Sequence, residues 1–407
     1  MINSSLNILS MFDGISGAQQ ALKNLSIPIN KYYSSELDKY AIQVTQKNFP
    51  NTIQLGDVNQ VNFDDYYGQI DLIVGGFPCQ SFSCAGKALG FDDIRGKLFF
   101  KCVEAVNKIK PKYFLFENVA SMKKEIKYQI SKYLGVDFVT IDSALLTAQQ
   151  RKRIYYCGIL QNDGTYKTAY IPQPQDKGIL LKDVLESGIN YVEKSQTLTA
   201  TYSKAIFINS IIKKERTMVA EPVCVAFRGR YDKDGKIQQN LEPNLTLKTN
   251  TLRSVSKDNM ILSPVLYNQY NQRTLKYKAA TLSTFSQNKT SVSGQVVFNP
   301  VNLINSNNIS DIDKIYTIKD KLVLLNSSRT NKISPYKIDL PDGDYTVRKL
   351  TIAECCKLQG FPDYYCDNVS KTQGYKALGN SFTVPVIEHI LHHLFNQVEV
   401  DYTNGLF

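Results

Sequence analysis

Histidine is nearly absent. Of 407 residues only His389, His392 and His393 carry an imidazole, and all three lie near the C-terminus. Acid–base chemistry upstream must therefore use Cys, Asp, Glu, Lys, Arg or Tyr. The eight cysteines, at 79, 84, 102, 157, 224, 355, 356 and 366, include no C-x-x-C pair. That spacing speaks against a zinc site, and a disulfide framework is out of place in so long a chain, so reduced cytosolic thiols are expected. No apolar run reaches the ~18–20 residues that a membrane-spanning helix needs. Residues 1–9 show neither a basic start nor a cleavage site, so no signal peptide is expected. No Gly-Lys-Ser/Thr element occurs, which argues against a nucleoside triphosphatase.

What is present points to a core with an insertion. The length exceeds the ~100–200 residues of a typical domain. Hydrophobic residues make up 43%, enough for a sizeable core. Lys and Arg number 48 against 37 Asp and Glu, a net charge of +11. Such a balance favours a polyanionic partner, nucleic acid before membrane. In the first 160 residues, short apolar runs alternate with helical spacing. Strands are predicted at 7–12, 31–34, 71–74, 113–116 and 154–159, and Ala18, Ala21, Leu22 and Leu25 follow a helical period. This alternation predicts βαβ units and a mostly parallel, doubly wound α/β sheet.

Between 176 and 344 the texture becomes rich in Ser, Thr, Asn and Gln, with short β-type runs. This segment holds 24 basic and 16 acidic residues, so it carries +8 of the total charge. Residues 194–199 resemble 278–283, with a partial third copy at 244–246, a pattern that fits either recurrent strand composition or a duplicated β-unit. Helices are predicted again at 350–358 and 384–395, the second with an apolar face of Val386, Ile387, Ile390, Leu391, Leu394 and Phe395. The domain reading is therefore 1–175 as the first part of a core, 176–344 as an inserted module, and 345–407 as the return to the core.

Several local elements bear on chemistry. Phe12-Asp13-Gly14-Ile15-Ser16-Gly17 is a glycine turn between a strand and a helix, where backbone N–H groups can approach a ligand. Glu36 follows the second strand and Asp57 lies in Gly56-Asp57-Val58. Two acids at strand ends suit an adenosine rather than a phosphate. Gly75-Gly76-Phe77-Pro78-Cys79-Gln80-Ser81-Phe82-Ser83 ends an apolar strand and leads into a glycine-dotted stretch, which favours an exposed nucleophile on a loop. Phe116-Glu117-Asn118-Val119 ends another strand, and partial burial of Glu117 suits a proton donor. Arg151 and Arg153 in Gln149-Gln150-Arg151-Lys152-Arg153 share one face of an extended chain and suit an anionic substrate. The C-terminal part adds Leu358-Gln359-Gly360-Phe361-Pro362 and Gly379-Asn380-Ser381.

In this order the Pro-Cys-Gln, Glu-Asn-Val, Gln-x-Arg-x-Arg, Leu-Gln-Gly-Phe-Pro and Gly-Asn-Ser elements resemble the DNA cytosine-5 methyltransferase family. The resemblance covers residues 6–158 and 347–394. The Phe-Asp-Gly start departs from the commoner Phe-Ala-Gly and is similar to a phage-type and de novo variant. Ala148 stands where proline is usual, and Leu37 where an aromatic is frequent, so cofactor stacking falls more on Phe12.

The resemblance implies a Rossmann-like fold and methyl transfer from S-adenosylmethionine to C5 of a flipped-out cytosine in double-stranded DNA, with no metal. It implies Cys79 as nucleophile, Glu117 at the base N3, Arg151 and Arg153 holding the adduct and neighbouring backbone, and Asn118 orienting segment 78–79. Cofactor contacts are expected from Phe12, Asp13, Gly14, Ile15, Gly17, Glu36, Leu37, Asp57, Val58, Pro78, Leu98, Asn380 and Ser381. Residues 81–97 are the expected closing loop. The insert would be a mainly β target recognition domain. Gln80, Ser81, Ser83, Arg95, Arg228, Arg230, Gln269, Asn271, Gln272 and Arg273 are DNA-contact candidates, since Arg suits guanine and Asn or Gln suits adenine. A monomer in a prokaryotic or phage-infected cytoplasm is expected, and a restriction endonuclease of the same site is a companion the resemblance allows. The alternatives are a tRNA cytosine-5 methyltransferase, an inactive DNA-binding regulator and a folate-dependent pyrimidine enzyme. Glu388 and the three histidines read as the polar flank of a helix, residues 232–235 as a turn, and Cys355-Cys356 as packing.

Overall fold

The computed structural model describes residues 5–78, 94–190, 192–205, 216–222, 224–231, 237–244, 260–261, 315–319, 322–327, 330–337 and 343–397. The chain divides into two compact units. One comprises Met1–Val184, Lys194–Lys204 and Thr351–Phe407; the other comprises Leu185–Glu193 and Ala205–Leu350.

The first unit is built on a mixed sheet. Its strands are β1 (Leu6–Met11), β2 (Ile29–Ser35), β3 (Ile53–Gln54), β4 (Leu72–Gly75), β5 (Tyr113–Val119), β6 (Phe138–Asp142), β7 (Lys152–Leu160) and β8 (Tyr166–Thr168). The order is β3-β2-β1-β4-β5-β7-β6, with β8 on β7. The five strands from β3 to β5 are parallel. β7 runs antiparallel to β5 and β6. Residues 143–151 link β6 to β7, too short for the crossover that a parallel pair requires. The five predicted strands appear as β1, β2, β4, β5 and β7. β3, of two residues, is too short to stand out in the sequence, and β6 is not among the predicted strands.

Helices α1 (Gly17–Asn24), α2 (Lys39–Asn48), α3 (Ile94–Ile109) and α4 (Lys124–Leu134) alternate with these strands. Phe99, Cys102 and Val106 of α3 and Ile130 and Leu134 of α4 join Leu9, Ile73, Phe114, Phe116 and Ile154 of the sheet in one core. The C-terminal segment returns as α5 (Ile352–Gln359), α6 (Lys371–Asn380) and α7 (Val384–Phe395). Thr351 and Glu354 form a reciprocal capping box on α5, and Gly360 ends that helix in the left-handed conformation. α7 packs on α1 and buries Val386, Ile387, Ile390, Leu391 and Leu394, the face its sequence spacing predicts.

Residues 194–204 belong to the first unit because their backbone is stitched to it. Ser195 N–H donates to the Ala148 carbonyl at 2.7 Å, and Gln150 N–H donates to the Ser195 carbonyl at 2.8 Å. Of the three repeat-like pieces in the sequence, only this one is described in full; 278–283 and most of 244–246 lie outside the described residues.

The described residues of the second unit form antiparallel strands. β9 (Met218–Pro222), β10 (Cys224–Tyr231), β11 (Ile237–Asn244), β12 (Met260–Ile261), β13 (Ile315–Lys319), β14 (Leu322–Ser327), β15 (Thr330–Lys337) and β16 (Gly343–Lys349) make one sheet of order β11-β10-β12 and another of order β15-β14-β13-β16-β9. Among the described residues no helix is long and apolar enough to cross a membrane.

Candidate active site

In an open α/β sheet the carboxyl ends of the strands form a crevice where the strand order reverses. Here the reversal lies between β1 and β4, and a cavity of about 480 Å³ opens there. It is lined by residues at or just beyond the carboxyl ends of β1 to β5, by Arg151 and Arg153 at the start of β7, by the start of α2, by Leu98 of α3 and by α6.

One half of the cavity is apolar plates and acids. Phe12, Leu37, Val58 and Leu98 line it beside Glu36 and Asp57. Phe12 has φ +57°, a left-handed conformation that costs a bulky residue about 1–2 kcal/mol. Glu36 Oε2 accepts from Gly14 N–H at 2.8 Å, and its Oε1 accepts from Leu37 and Asp38 N–H, each at 2.8 Å. A glycine-turn amide that could cradle a phosphate is therefore already taken by a carboxylate. Asp57 caps the short turn 58–60, accepting from Asn59 N–H at 2.9 Å through Oδ1.

The other half holds the charged pair. The antiparallel register sets Glu117 opposite Tyr155 and Val119 opposite Arg153. Glu117 and Arg153 are thus diagonal neighbours on one face. Arg153 Nε donates to Glu117 Oε1 at 2.7 Å, and both side chains are about five-sixths buried. A Cβ on Gly76 would approach Glu117 Oε2 to 3.3 Å and Phe382 to 3.2 Å, so the bare backbone there makes room for the carboxylate. Asn118, which is buried, donates from Nδ2 to the Phe77 carbonyl at 3.1 Å and so fixes the chain entering Pro78.

Arg151 also lines the cavity but spends its guanidinium on the fold. Nη1 donates to the Leu198 carbonyl at 2.8 Å, and Nη2 to the Ser381 carbonyl at 2.9 Å; both reach the Gly379 carbonyl at 3.2 Å. Beneath it, buried Gln149 accepts from Leu198 N–H at 2.7 Å and donates to Gln359 Oε1 at 3.2 Å. Gln359 Oε1 accepts from the Thr383 hydroxyl at 2.7 Å. A Cβ on Gly379 would lie 2.3 Å from the Thr199 backbone, so only glycine lets these segments meet. The Gln149–Arg153 motif and the two C-terminal motifs thus share one buried polar network. Arg151→Ala would leave these carbonyls without their guanidinium, and should cost on the order of 3 kcal/mol, read as a lowered thermal midpoint.

Of the residues singled out from sequence, Phe12, Gly14, Glu36, Leu37, Asp57, Val58, Pro78, Leu98, Glu117, Asn118, Arg151, Arg153 and Asn380 line this cavity. Asp13, Ile15, Gly17 and Ser381 are not in the lining. Asp13, Ile15 and Ser381 are buried, and Gly17 is packed against Phe382. Cys79, Gln80, Ser81, Ser83, Gln269, Asn271, Gln272 and Arg273 lie outside the described residues, as does most of the 81–97 loop and the 232–235 turn. Arg95 is placed on α3, and Arg228 and Arg230 on β10, by their backbones.

The rim of the cavity holds an ion pair with no local signal in the sequence. Lys376 of α6 pairs with Asp38, the N-cap of α2, at 2.6 Å. Burial alone would raise the Asp38 carboxyl, but the Lys376 contact and the Tyr40 and Ala41 amides bring it below the usual range. An Asp before a helical run signals the cap; nothing local links it to a lysine 338 residues away.

The described free cysteines, Cys102, Cys157, Cys355, Cys356 and Cys366, are all buried. Burial pushes the Cys102, Cys157 and Cys355 thiols up, away from thiolate chemistry. Cys355 and Cys356 are packing residues, as their helix predicts. His389 meets the Pro172 carbonyl at 2.8 Å, and Glu388 accepts from Asn24. Among the described residues no group of three His, Cys, Asp or Glu is placed to hold a metal.

A family model described as C-5 cytosine-specific DNA methylase matches residues 6–396. The chain belongs to that family. This methylase is 27% identical to the Type II methyltransferase M.NgoBV of Neisseria gonorrhoeae, over 96% of the chain and 99% of the relative. It is 25% identical to the orphan methyltransferase M.SPRI of Bacillus phage SPR, over 96% and 98%. Among solved structures, it shares its fold with the Entamoeba histolytica methyltransferase EhMeth, at a TM-score of 0.54, 15% identity and coverage of 97% and 98%. A Spodoptera frugiperda DNMT2 mutant also shares the fold, at 0.51, 17% identity, 96% and 100%. The chain is a DNA cytosine-5 methyltransferase enzyme, and its sheet is the α/β, mostly parallel architecture of that group.

Proposed function

We propose that this methylase methylates C5 of a flipped-out cytosine in double-stranded DNA, using S-adenosylmethionine and a covalent link between Cys79 and C6. The observation that carries the reading is the cavity itself: Glu36, Asp57 and Phe12 stand at one end, and the Glu117–Arg153 pair beside Pro78 at the other.

The cofactor fits the residues present. Carboxylates occupy the places where a phosphate would need donors, which suits an unphosphorylated nucleoside. Phe12, Leu37, Val58 and Leu98 offer apolar surface for an adenine, and Glu36 and Asp57 offer acceptors for hydroxyl and amino groups. S-adenosylmethionine supplies an electrophilic methyl group when bound.

Aromatic C5 is a poor nucleophile. Addition of the Cys79 thiolate at C6 turns the ring into an enamine, which makes C5 reactive. Glu117, in its protonated form, donates its carboxyl proton to N3 as the thiolate adds, so that negative charge does not build on the ring. Arg153 fixes Glu117 through Oε1, leaving Oε2 for the base. Asn118 aligns the backbone that presents Cys79. After methyl transfer a bound water, as the proposed base, takes the C5 proton; the C5–C6 double bond re-forms and the C6–sulfur bond breaks, returning the Cys79 thiolate. A duplex hides C6 in its stack, so the base must first be extruded.

The antiparallel insert would read the sequence. Its basic balance suits phosphate contacts. Arg228 and Arg230 on β10, with Gln269, Asn271, Gln272 and Arg273, are its proposed base readers. Exchanging residues 205–350 for the matching segment of a relative with another recognition site should move the methylated sequence to that of the donor. Unchanged specificity would refute the role of the insert. A companion endonuclease is proposed from the Type II names of the relatives.

A further inference from the structure

The glycine turn alternates in conformation. Phe12, Gly14 and Ser16 have φ of +57°, +62° and +57°. Phe12 and Gly14 line the cavity; Asp13, between them, faces the other way and is 6% exposed. Each polar group of Asp13 is engaged. Its N–H donates to the Ser35 carbonyl, and its own carbonyl accepts from Ser16 N–H, both at 3.2 Å. Its Oδ1 accepts from the Tyr32 hydroxyl at 2.9 Å, and its Oδ2 accepts from the hydroxyls of Ser34, at 3.0 Å, and Ser16. Tyr32 and Ser34 belong to β2, and Ser16 is the N-cap of α1. The carboxylate thus ties the turn to the two elements that frame it.

A carboxylate is costly to bury without donors. Burial pushes the Asp13 carboxyl above the usual range, against the pull of the Ser10, Ser16, Tyr32 and Ser34 hydroxyls. Left-handed conformations at bulky or β-substituted residues persist only where the surroundings over-determine them. Here the two such residues are Phe12, which precedes Asp13, and Ser16, which donates to it; Gly14 takes its positive φ without that cost.

We propose that Asp13 is a positioning residue for the cofactor: its carboxylate, bonded to Tyr32, Ser34 and Ser16, holds Phe12 and Gly14 in the conformations that turn them onto the cavity. This rests on the reading of the cavity as the cofactor site. Asp13 touches no ligand; it acts through its neighbours.

The test is calorimetric titration of the full-length protein with S-adenosylhomocysteine, beside the thermal midpoint of the ligand-free protein and steady-state kinetics. Asp13→Asn keeps the shape but loses the charge and one acceptor. It should bind at least tenfold more weakly, about 1.4 kcal/mol. Its KM for S-adenosylmethionine should rise while kcat at saturation and DNA affinity stay near wild type. Tyr32→Phe removes one donor and should weaken binding in the same direction by a smaller factor, which decides the matter if Asp13→Asn does not fold. Wild-type affinity in a folded Asp13→Asn, or in Tyr32→Phe if only that variant folds, would overturn the inference alone. Absence of binding by the wild-type protein would overturn the cofactor reading, and this inference with it.

Discussion

Cys79→Ser is expected to abolish methyl transfer while leaving DNA binding largely intact. A serine hydroxyl is a weak nucleophile unless a base takes its proton. None of the three histidines lines the cavity. The described carboxylates there are committed to backbone amides, to Asn59, to Lys376 or to Arg153. The five described cysteines are buried among packing residues and offer no substitute. Transfer of a tritiated methyl group and a gel-shift titration on the same duplex separate chemistry from binding. Near-normal turnover in the variant would refute the covalent mechanism.

Glu117→Gln is expected to lower kcat by on the order of 10²–10³, the scale of a lost positioned acid or base, with little change in DNA affinity. An amide cannot deliver a proton to N3, and it leaves Arg153 facing a neutral partner. Since the Glu117–Arg153 pair is mostly buried, some loss of stability should accompany the change. Measuring the thermal midpoint beside kcat keeps the two effects apart. Turnover close to wild type in the folded variant would remove Glu117 from the chemistry.

Most predicted strands were legible as short apolar runs ending in a polar or glycine signal, as in Val74-Gly75-Gly76 and Phe116-Glu117. β6 is not among them, although Phe138-Val139-Thr140-Ile141 is a β-type run. The reversed direction of β7 also could not be read from composition; it depends on the short link before it. At the site, the residues facing the cavity carry chemical signals: acids at strand ends, a lone Cys after proline, paired arginines. The hidden part is long-range. Gln149, Gln359 and Thr383 are more than 200 residues apart at the extreme, yet share one buried network. Arg151 looked like a substrate-binding twin of Arg153, since extended chain puts both on one face. Their environments divide them: one bonds three backbone carbonyls, the other a carboxylate. The family resemblance implies Asp13 as a cofactor contact, whereas Asp13 is buried and absent from the cavity lining. Its orientation, which the turn conformation decides, is invisible in the sequence.

Base-resolution bisulfite sequencing of DNA from cells expressing the chain tests the central claim most directly. The expected result is protection of one cytosine within a single recurring duplex sequence, present with the wild-type protein and lost with Cys79→Ser. Absence of protected cytosines from DNA of cells making folded wild-type protein, or equal protection with Cys79→Ser, would contradict it.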